Sequence, residues 1–383
     1  MENKILKYLL SDNISKCVNK NGVMIRKVIN PLFRNFMMIF TSGKLIITNK
    51  NNVSEKENVI YAGTHGFHDD IIFTIKTADR HAYLLYGNLL DFFETFHGFG
   101  LWTNGVVLVD RSNKESRKSV VYKMENVINN GTNMVMFPEG TWNKSESLIV
   151  LELHLGIYDV AEKTGAKVVP IATYLDGKIA YSKKGEAFDI TCVDDENMQI
   201  ILDNDIKLIE KCIDLLIYNG SMEKYIRNKL MLMLDRTKSQ LNISLIDSIS
   251  LLALELKEEV SSYKDTLDKN SIDFSIMNRI EIILSFVERQ KKIVMVNILR
   301  DKMATLKLDL YKSANRDDFD ENYWENYVNE LISTTNGMYN EEEENAAEYR
   351  NPLNECERQV FSILDNIEIT NRNAKVLALT KNK

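Results

Sequence analysis

The 383-residue sequence is poor in the residues that break or cross-link chains, with 4 Pro, 16 Gly and 4 Cys. So little Pro and Gly excludes collagen-like and Pro-rich extended chains, and a 44% hydrophobic content excludes a wholly disordered one. Cys17, Cys192, Cys212 and Cys356 lie too far apart for a zinc pattern or a dense disulfide framework, which points to a reducing, cytosolic compartment. No uninterrupted apolar run of about 18 residues occurs, and the N-terminus lacks the pattern of a signal peptide, so no spanning helix is expected. Positive charge is also in deficit. Lys plus Arg number 48 against 55 Asp plus Glu, a net charge of −7, which argues against a nucleic-acid partner.

What is present is order of two textures. From about 53 to 190, short apolar β-rich runs alternate with helical patterns. Val59–Ala62, Ala82–Leu85, Val106–Val109, Met134–Phe137 and Val168–Ile171 read as strands, with Ser116–Asn129 and Gly156–Thr164 among the helices between them. Strands that are apolar along their whole length predict an α/β fold with a mostly parallel sheet and flanking helices. From about 197 to 298 the chain turns charged and helical in period, with helices expected at Ile206–Ile217, Met222–Arg236, Ile243–Val260 and Ile272–Leu299. The expected organisation is therefore amphipathic N-terminal helices at 1–52, an α/β domain at 53–196, a helical insertion at 197–298, and C-terminal helices with an acidic tail at 299–383. That last part holds Tyr323, Trp324, Tyr327 and the run Glu341–Glu344.

Near the N-terminus, apolar residues recur at helical spacing in Ile5–Leu10 and Val28–Phe40, the second holding Leu32, Phe33, Phe36, Met37 and Phe40. Lys16, Lys20, Arg26 and Lys27 flank this stripe. Such a pattern fits a helix lying in a membrane interface against anionic lipid, and equally one packed on its own domain.

Three patches carry candidate chemistry, each at the end of an expected strand. The first is Gly63-Thr64-His65-Gly66-Phe67-His68-Asp69-Asp70. Five residues of ideal helix separate side chains by about 140°, so His65 and Asp70 meet only if His65 sits in a loop and Asp70 in the first turn after it. Placed so, the carboxylate holds one imidazole nitrogen while the other takes a proton from a hydroxyl. On the residues alone, Asp69 and Asp70 also fit a helix N-terminus, and the His and Asp side chains are possible metal ligands, although no zinc spacing joins them to His81, His97 or His154. The second patch is Gly105-Val106-Val107-Leu108-Val109-Asp110-Arg111, which delivers a guanidinium suited to a phosphate or to a carboxylate neighbour. The third is Phe137-Pro138-Glu139-Gly140-Thr141, where Pro ends the strand and Gly permits unusual backbone angles, as an ordinary tight turn also would.

Taken together, and in this order, the patches resemble the three motifs of the glycerolipid acyltransferase family that includes 1-acyl-sn-glycerol-3-phosphate acyltransferase. A fourth, weaker match is Val168-Val169-Pro170-Ile171, and the resemblance covers roughly residues 55–190. It implies transfer of a fatty acyl group from acyl-CoA or acyl-carrier protein, with no other cofactor and no metal, to the hydroxyl of a lysophospholipid such as 1-acyl-glycerol-3-phosphate. It further implies His65 as base, Asp70 as its orienter, Arg111 as the phosphate-binding residue, and Glu139, Gly140 and Thr141 as the shapers of the acceptor site. A peripheral position on the inner face of the cell membrane, reached through the N-terminal helices, follows from the same resemblance. So does an alternative, a catalytically impaired lipid-binding or scaffold member of the family. The chain departs from the pattern at Thr64, Phe67, Trp142 and His154, where relatives often carry Asn, a small polar residue, Arg and Lys; these changes bear on the acceptor more than on the reaction. Oligomeric state is not encoded in any feature of the sequence.

Overall fold

The structure, a computed structural model, describes residues 18–49, 53–54, 57–87, 96–111, 113–144, 148–216 and 220–314, together with the single positions 322, 326 and 329. The segment Ile5–Leu10, the aromatic group at Tyr323, Trp324 and Tyr327, and the run Glu341–Glu344 lie outside the described residues. Of those described, residues through Thr191 and from Leu299 onward form one compact unit, and Cys192–Ile298 form a second.

The first unit is α/β. Its elements run α1 (Lys20–Met37), a 3₁₀ turn (Met38–Phe40), β1 (Lys44–Ile47), β2 (Val59–Gly63), α2 (Asp70–Ala78), β3 (Ala82–Tyr86), α3 (Phe96–Asn104), β4 (Val106–Leu108), α4 (Lys114–Asn129), β5 (Asn133–Met136), α5 (Gly156–Thr164), β6 (Lys167–Asp176) and β7 (Ile179–Lys184). The strands make one sheet in the order β1-β7-β6-β2-β5-β3-β4, parallel throughout except between β6 and β7. A mostly parallel sheet flanked by helices is thus the observed fold. β2 and β5 are buried along their full length, as sheet interiors covered on both faces must be. One face packs Val59, Tyr61, Leu84, Val135, Val169 and Ile171 against Ile75 and Ala78 of α2 and Leu101 of α3. On α4, Val120, Met124, Val127 and Ile128 form the buried stripe at helical spacing.

Two strands were not expected from the sequence. β1 lies within the 1–52 segment expected to be amphipathic helices, but it is an edge strand whose residues alternate between exposed and half-buried positions. β7, Ile-Ala-Tyr-Ser-Lys-Lys, looks polar because only every second side chain faces inward.

α1 has its polarity turned inside out. Asn19 caps it by accepting the Gly22 N–H at 2.7 Å. Its buried positions include Asn30 and Arg34, and Arg34 pairs with Asp79 at 2.8 Å. Arg26 lies over the rings of Tyr83 and Trp102. Outward point Met24, Ile25, Val28, Leu32 and Phe36, followed by Ile39 in the 3₁₀ turn, with Leu32 78% and Val28 75% exposed.

The second unit contains α6 (Asp195–Leu215), α7 (Ser221–Ser239), α8 (Ile243–Lys264), α9 (Ile272–Val287) and the start of α10 (Gln290–Ala314). Asp194, Asn242 and Ser271 each accept a backbone N–H at the N-termini of α6, α8 and α9. Its core is built from residues such as Leu208, Leu230, Ile249, Leu256, Ile280 and Leu284. Lys229–Glu259, Lys257–Glu288 and Lys264–Glu281 pair between helices. The single helix expected over Ile272–Leu299 is two, separated at Glu288 and Arg289 without a Gly or Pro to announce the break.

Candidate active site

Parallel register decides which loops meet. Ala62 of β2 pairs with Met136 of β5, and three residues beyond each come His65 and Glu139, so adjacent strands deliver the first and third patches to the same carboxyl edge of the sheet. Thr64 opens the first loop, its N–H donating to the Ile171 carbonyl at 3.0 Å and its hydroxyl accepting the Thr173 N–H at 2.9 Å.

His65 occupies the loop and Asp70 is the first residue of α2, where a helix N-terminus favours a carboxylate. The imidazole Nδ1 lies 3.1 Å and 3.0 Å from the two Asp70 oxygens. Asp70 Oδ2 also accepts the N–H groups of Gly66 at 2.7 Å and Phe67 at 3.0 Å. A carboxylate accepts only, so Nδ1 carries the hydrogen, and in the neutral ring this leaves the Nε2 lone pair as the acceptor. Asp70 is fully buried, whereas the His65 side chain keeps 13% of its exposure, enough for the ring to be reached. The ring stands between Phe137, with centroids 4.6 Å apart, and the edge-on indole of Trp142 at 5.8 Å.

Glu139 is fully buried. One of its oxygens accepts the His65 N–H at 2.9 Å and the other the Leu151 N–H at 2.8 Å. Burial pushes its carboxyl up from the ordinary range, while the Lys307 ammonium and the two N–H donors pull it back. It therefore shapes the site by fixing the loop. Gly140 has φ +72° and stands where a Cβ would come within 2.5 Å of the His154 Nε2, so glycine is required on both conformational and steric grounds. Thr141 is buried, and Asn143 donates its N–H to the His65 carbonyl at 2.6 Å.

Arg111 reaches the same place from the far side of β3. Its guanidinium donates to the Gly140 carbonyl and crosses Gly87, where any Cβ would fall 2.3 Å from Nε. The side chain is exposed. A second cation, Lys144, has its Nζ 5.3 Å from the centre of the Trp142 ring, the position where the family pattern has Arg. All six residues singled out in the sequence thus converge on one edge of the sheet.

Three further participants lie outside those six residues. Asp69 accepts from the Ser42 N–H at 2.9 Å, the Ser42 hydroxyl at 2.8 Å and His68 at 2.8 Å. Burial works to raise its carboxyl, but these hydrogen bonds outweigh it and hold the group down at about 2. Asn143 looks like any loop residue. Lys307 of α10 is buried beneath the loop, and nothing in a helical stretch marks one Lys as different from its neighbours. Among the described residues no group of three or more His, Cys, Asp or Glu side chains is arranged to hold a metal ion.

Residues 44–174 match the family model described as Acyltransferase. The 1-acyl-sn-glycerol-3-phosphate acyltransferase of Borreliella burgdorferi is 31% identical over 132 residues, which are 34% of this chain and 51% of that protein. The chain thus spans about half the length of this curated relative. The crystal structure of the 1-acyl-sn-glycerophosphate (LPA) acyltransferase PlsC from Thermotoga maritima aligns with 57% of this chain and 83% of that one, at 14% identity and a TM-score of 0.37. A likeness that loose adds nothing to the fold already seen in the strand order.

Proposed function

We propose, from the premise that residues 44–174 form a domain of the acyltransferase family, that the protein moves a fatty acyl group from a thioester donor to the hydroxyl of a lysophospholipid. The acceptor is 1-acyl-glycerol-3-phosphate and the product phosphatidate; the donor is acyl-CoA or acyl-carrier protein. The observation that carries this reading is the His65–Asp70 pair, held on both Asp70 oxygens and backed by Glu139 on the His65 main chain.

Nε2 of His65 accepts the proton of the acceptor hydroxyl as its oxygen attacks the thioester carbonyl. Asp70 fixes the ring and stabilises the imidazolium that forms. The C–S bond then breaks, and the departing thiolate takes the proton back from Nε2. Arg111, anchored on the Gly140 carbonyl at the exposed end of the site, binds the acceptor phosphate. Lys144 over Trp142 supplies positive charge near the position the family pattern gives to Arg.

The outward apolar face of α1 fits a protein that meets its substrate at a membrane. Burying Asn30 and Arg34 while exposing Val28, Leu32 and Ile39 is the reverse of a helix packed for water, and it suits the boundary between head groups and acyl chains. No helix among the described residues is long and apolar enough to cross a membrane. From the outward apolar face of α1 we infer a peripheral position on the inner face of the cell membrane.

The test is thiol release from an acyl thioester by the purified protein, offered a panel of lysolipid acceptors. Release that depends on a lysolipid, and fastest with the glycerol-3-phosphate head group, supports the reading. Absence of transfer to every acceptor would leave a family member that binds lipid without acylating it.

A further inference from the structure

We propose that Lys307 and Arg300, on a helix far from the motifs in sequence, are positioning residues that set the geometry of His65 through a relay of main-chain hydrogen bonds. The inference rests on the acyl-transfer reading for its kinetic readout only.

The relay starts on α10. Its core-facing stripe runs through Leu299, Met303, Ala304, Leu308 and Leu310, all buried, and Lys307 occupies a position in that stripe while being 7% exposed. An ammonium there is costly unless its hydrogen bonds and charge are answered. Lys307 Nζ donates to the Ile149 carbonyl at 2.9 Å. About two turns earlier, Arg300 places Nε and Nη2 at 3.2 Å and 3.0 Å from the Val150 carbonyl. The next residue, Leu151, gives its N–H to Glu139, whose other oxygen holds the His65 N–H. Three successive residues, Ile149, Val150 and Leu151, are therefore clamped from α10 on one side and tied to the catalytic loop on the other.

Charge runs along the same path. Burial lowers the Lys307 ammonium from its ordinary range, and the carboxylates of Glu139 and Asp70 act against that shift. The cation balances two buried carboxylates that hold the main chain and the ring of one residue. The end of α10 is seated independently, by Lys183 on Asp309 at 2.5 Å and by Tyr311 edge-on to Tyr174 with centroids 4.6 Å apart, so loss of the Lys307 bond need not release the helix.

The experiment is Lys307→Met, which keeps the stem and removes charge and donor, in the full chain. Two readouts are taken: steady-state kinetics and the imidazole N–H resonance of His65 in protein labelled with ¹⁵N-histidine, assigned by its loss in His65→Gln. The expected result is a kcat lower by roughly 10- to 100-fold with KM changed less than about threefold, accompanied by a shifted or exchange-broadened His65 resonance. A folded Lys307→Met protein with wild-type kcat and an unmoved resonance overturns the proposal. Should that variant fail to fold, Arg300→Met is read in the same two ways, and unchanged values there overturn it equally. If the wild type transfers no acyl group but the resonance still responds to Lys307→Met, the relay stands and the proposed reaction falls.

Discussion

Glu139 accepts the backbone N–H of His65 at 2.9 Å, while Asp70 holds the ring of the same residue through Nδ1. Two motif carboxylates, one at the start of α2 and one in the turn after β5, thus divide one histidine between them, main chain to one and side chain to the other. Neither alone fixes where Nε2 points.

Removing His65, the proposed base, should silence turnover without unfolding the chain. His65→Ala is expected to lower kcat by about 10²- to 10⁴-fold, with the urea midpoint little changed, because the side chain makes one buried hydrogen-bonded contact at a loop. Thiol release with a saturating acceptor measures the first and equilibrium unfolding the second.

Asp70→Asn should cost both activity and stability. An amide can face only some of the three N–H groups that the carboxylate now accepts, so one donor is left buried and unpaired at about 1–3 kcal/mol. The ring also loses the partner that selects its tautomer. A variant with wild-type kcat would show that Asp70 is merely a helix-terminal residue.

Much of this was legible in the sequence. β2, β3, β5 and β6 are each centred on an apolar run, and α5 begins and ends where its period does, because each of these is decided by its own local pattern. His65 and Asp70 were legible as a pair since a loop followed by a helix is the arrangement in which their spacing lets them meet. What was hidden depends on contacts distant in sequence. Exposed positions alternate in β1 and β7 because those strands lie at and next to the sheet edge. Lys307 is recognisable only when its carbonyl acceptor, Ile149, is beside it. Arg26 reads as a cation for lipid, yet it lies over the rings of Tyr83 and Trp102.

Membrane binding should follow the apolar face of α1. Leu32→Ser, Phe36→Ser and Ile39→Ser together remove three exposed side chains, each worth roughly 1–2 kcal/mol if buried in an interface. Co-sedimentation with anionic vesicles is expected to weaken by about 100-fold or more while the melting temperature holds. Unchanged sedimentation would assign the face to another role.

Stability should fall in mild acid through His81. This residue is buried, with its two ring nitrogens 2.9 Å from the Thr132 hydroxyl and 2.8 Å from the Asn104 carbonyl. Burial lowers it from 6.5 to about 4, against the Asn104 hydrogen bond that favours the charged ring. The unfolded chain therefore binds the proton first. Its contribution is fully present above about pH 6.5 and is lost as pH falls toward 4, at most ~3 kcal/mol in all. Urea midpoints between pH 7 and 4, compared with those of His81→Asn, give the check: the two curves should converge as the pH drops.

Synthesis runs from the N-terminus, which gives the position of Arg300 and Lys307 a temporal meaning. When residue 191 leaves the ribosome every strand of the sheet has been made, but the groups that grip Ile149 and Val150 are still untranslated. A nascent chain halted there owns both motif carboxylates and no clamp for the segment that joins them. The clamp is complete only after the helical residues 192–298 and the start of the last helix have been produced, so any fragment that stops short of them lacks the main-chain anchor proposed to set His65.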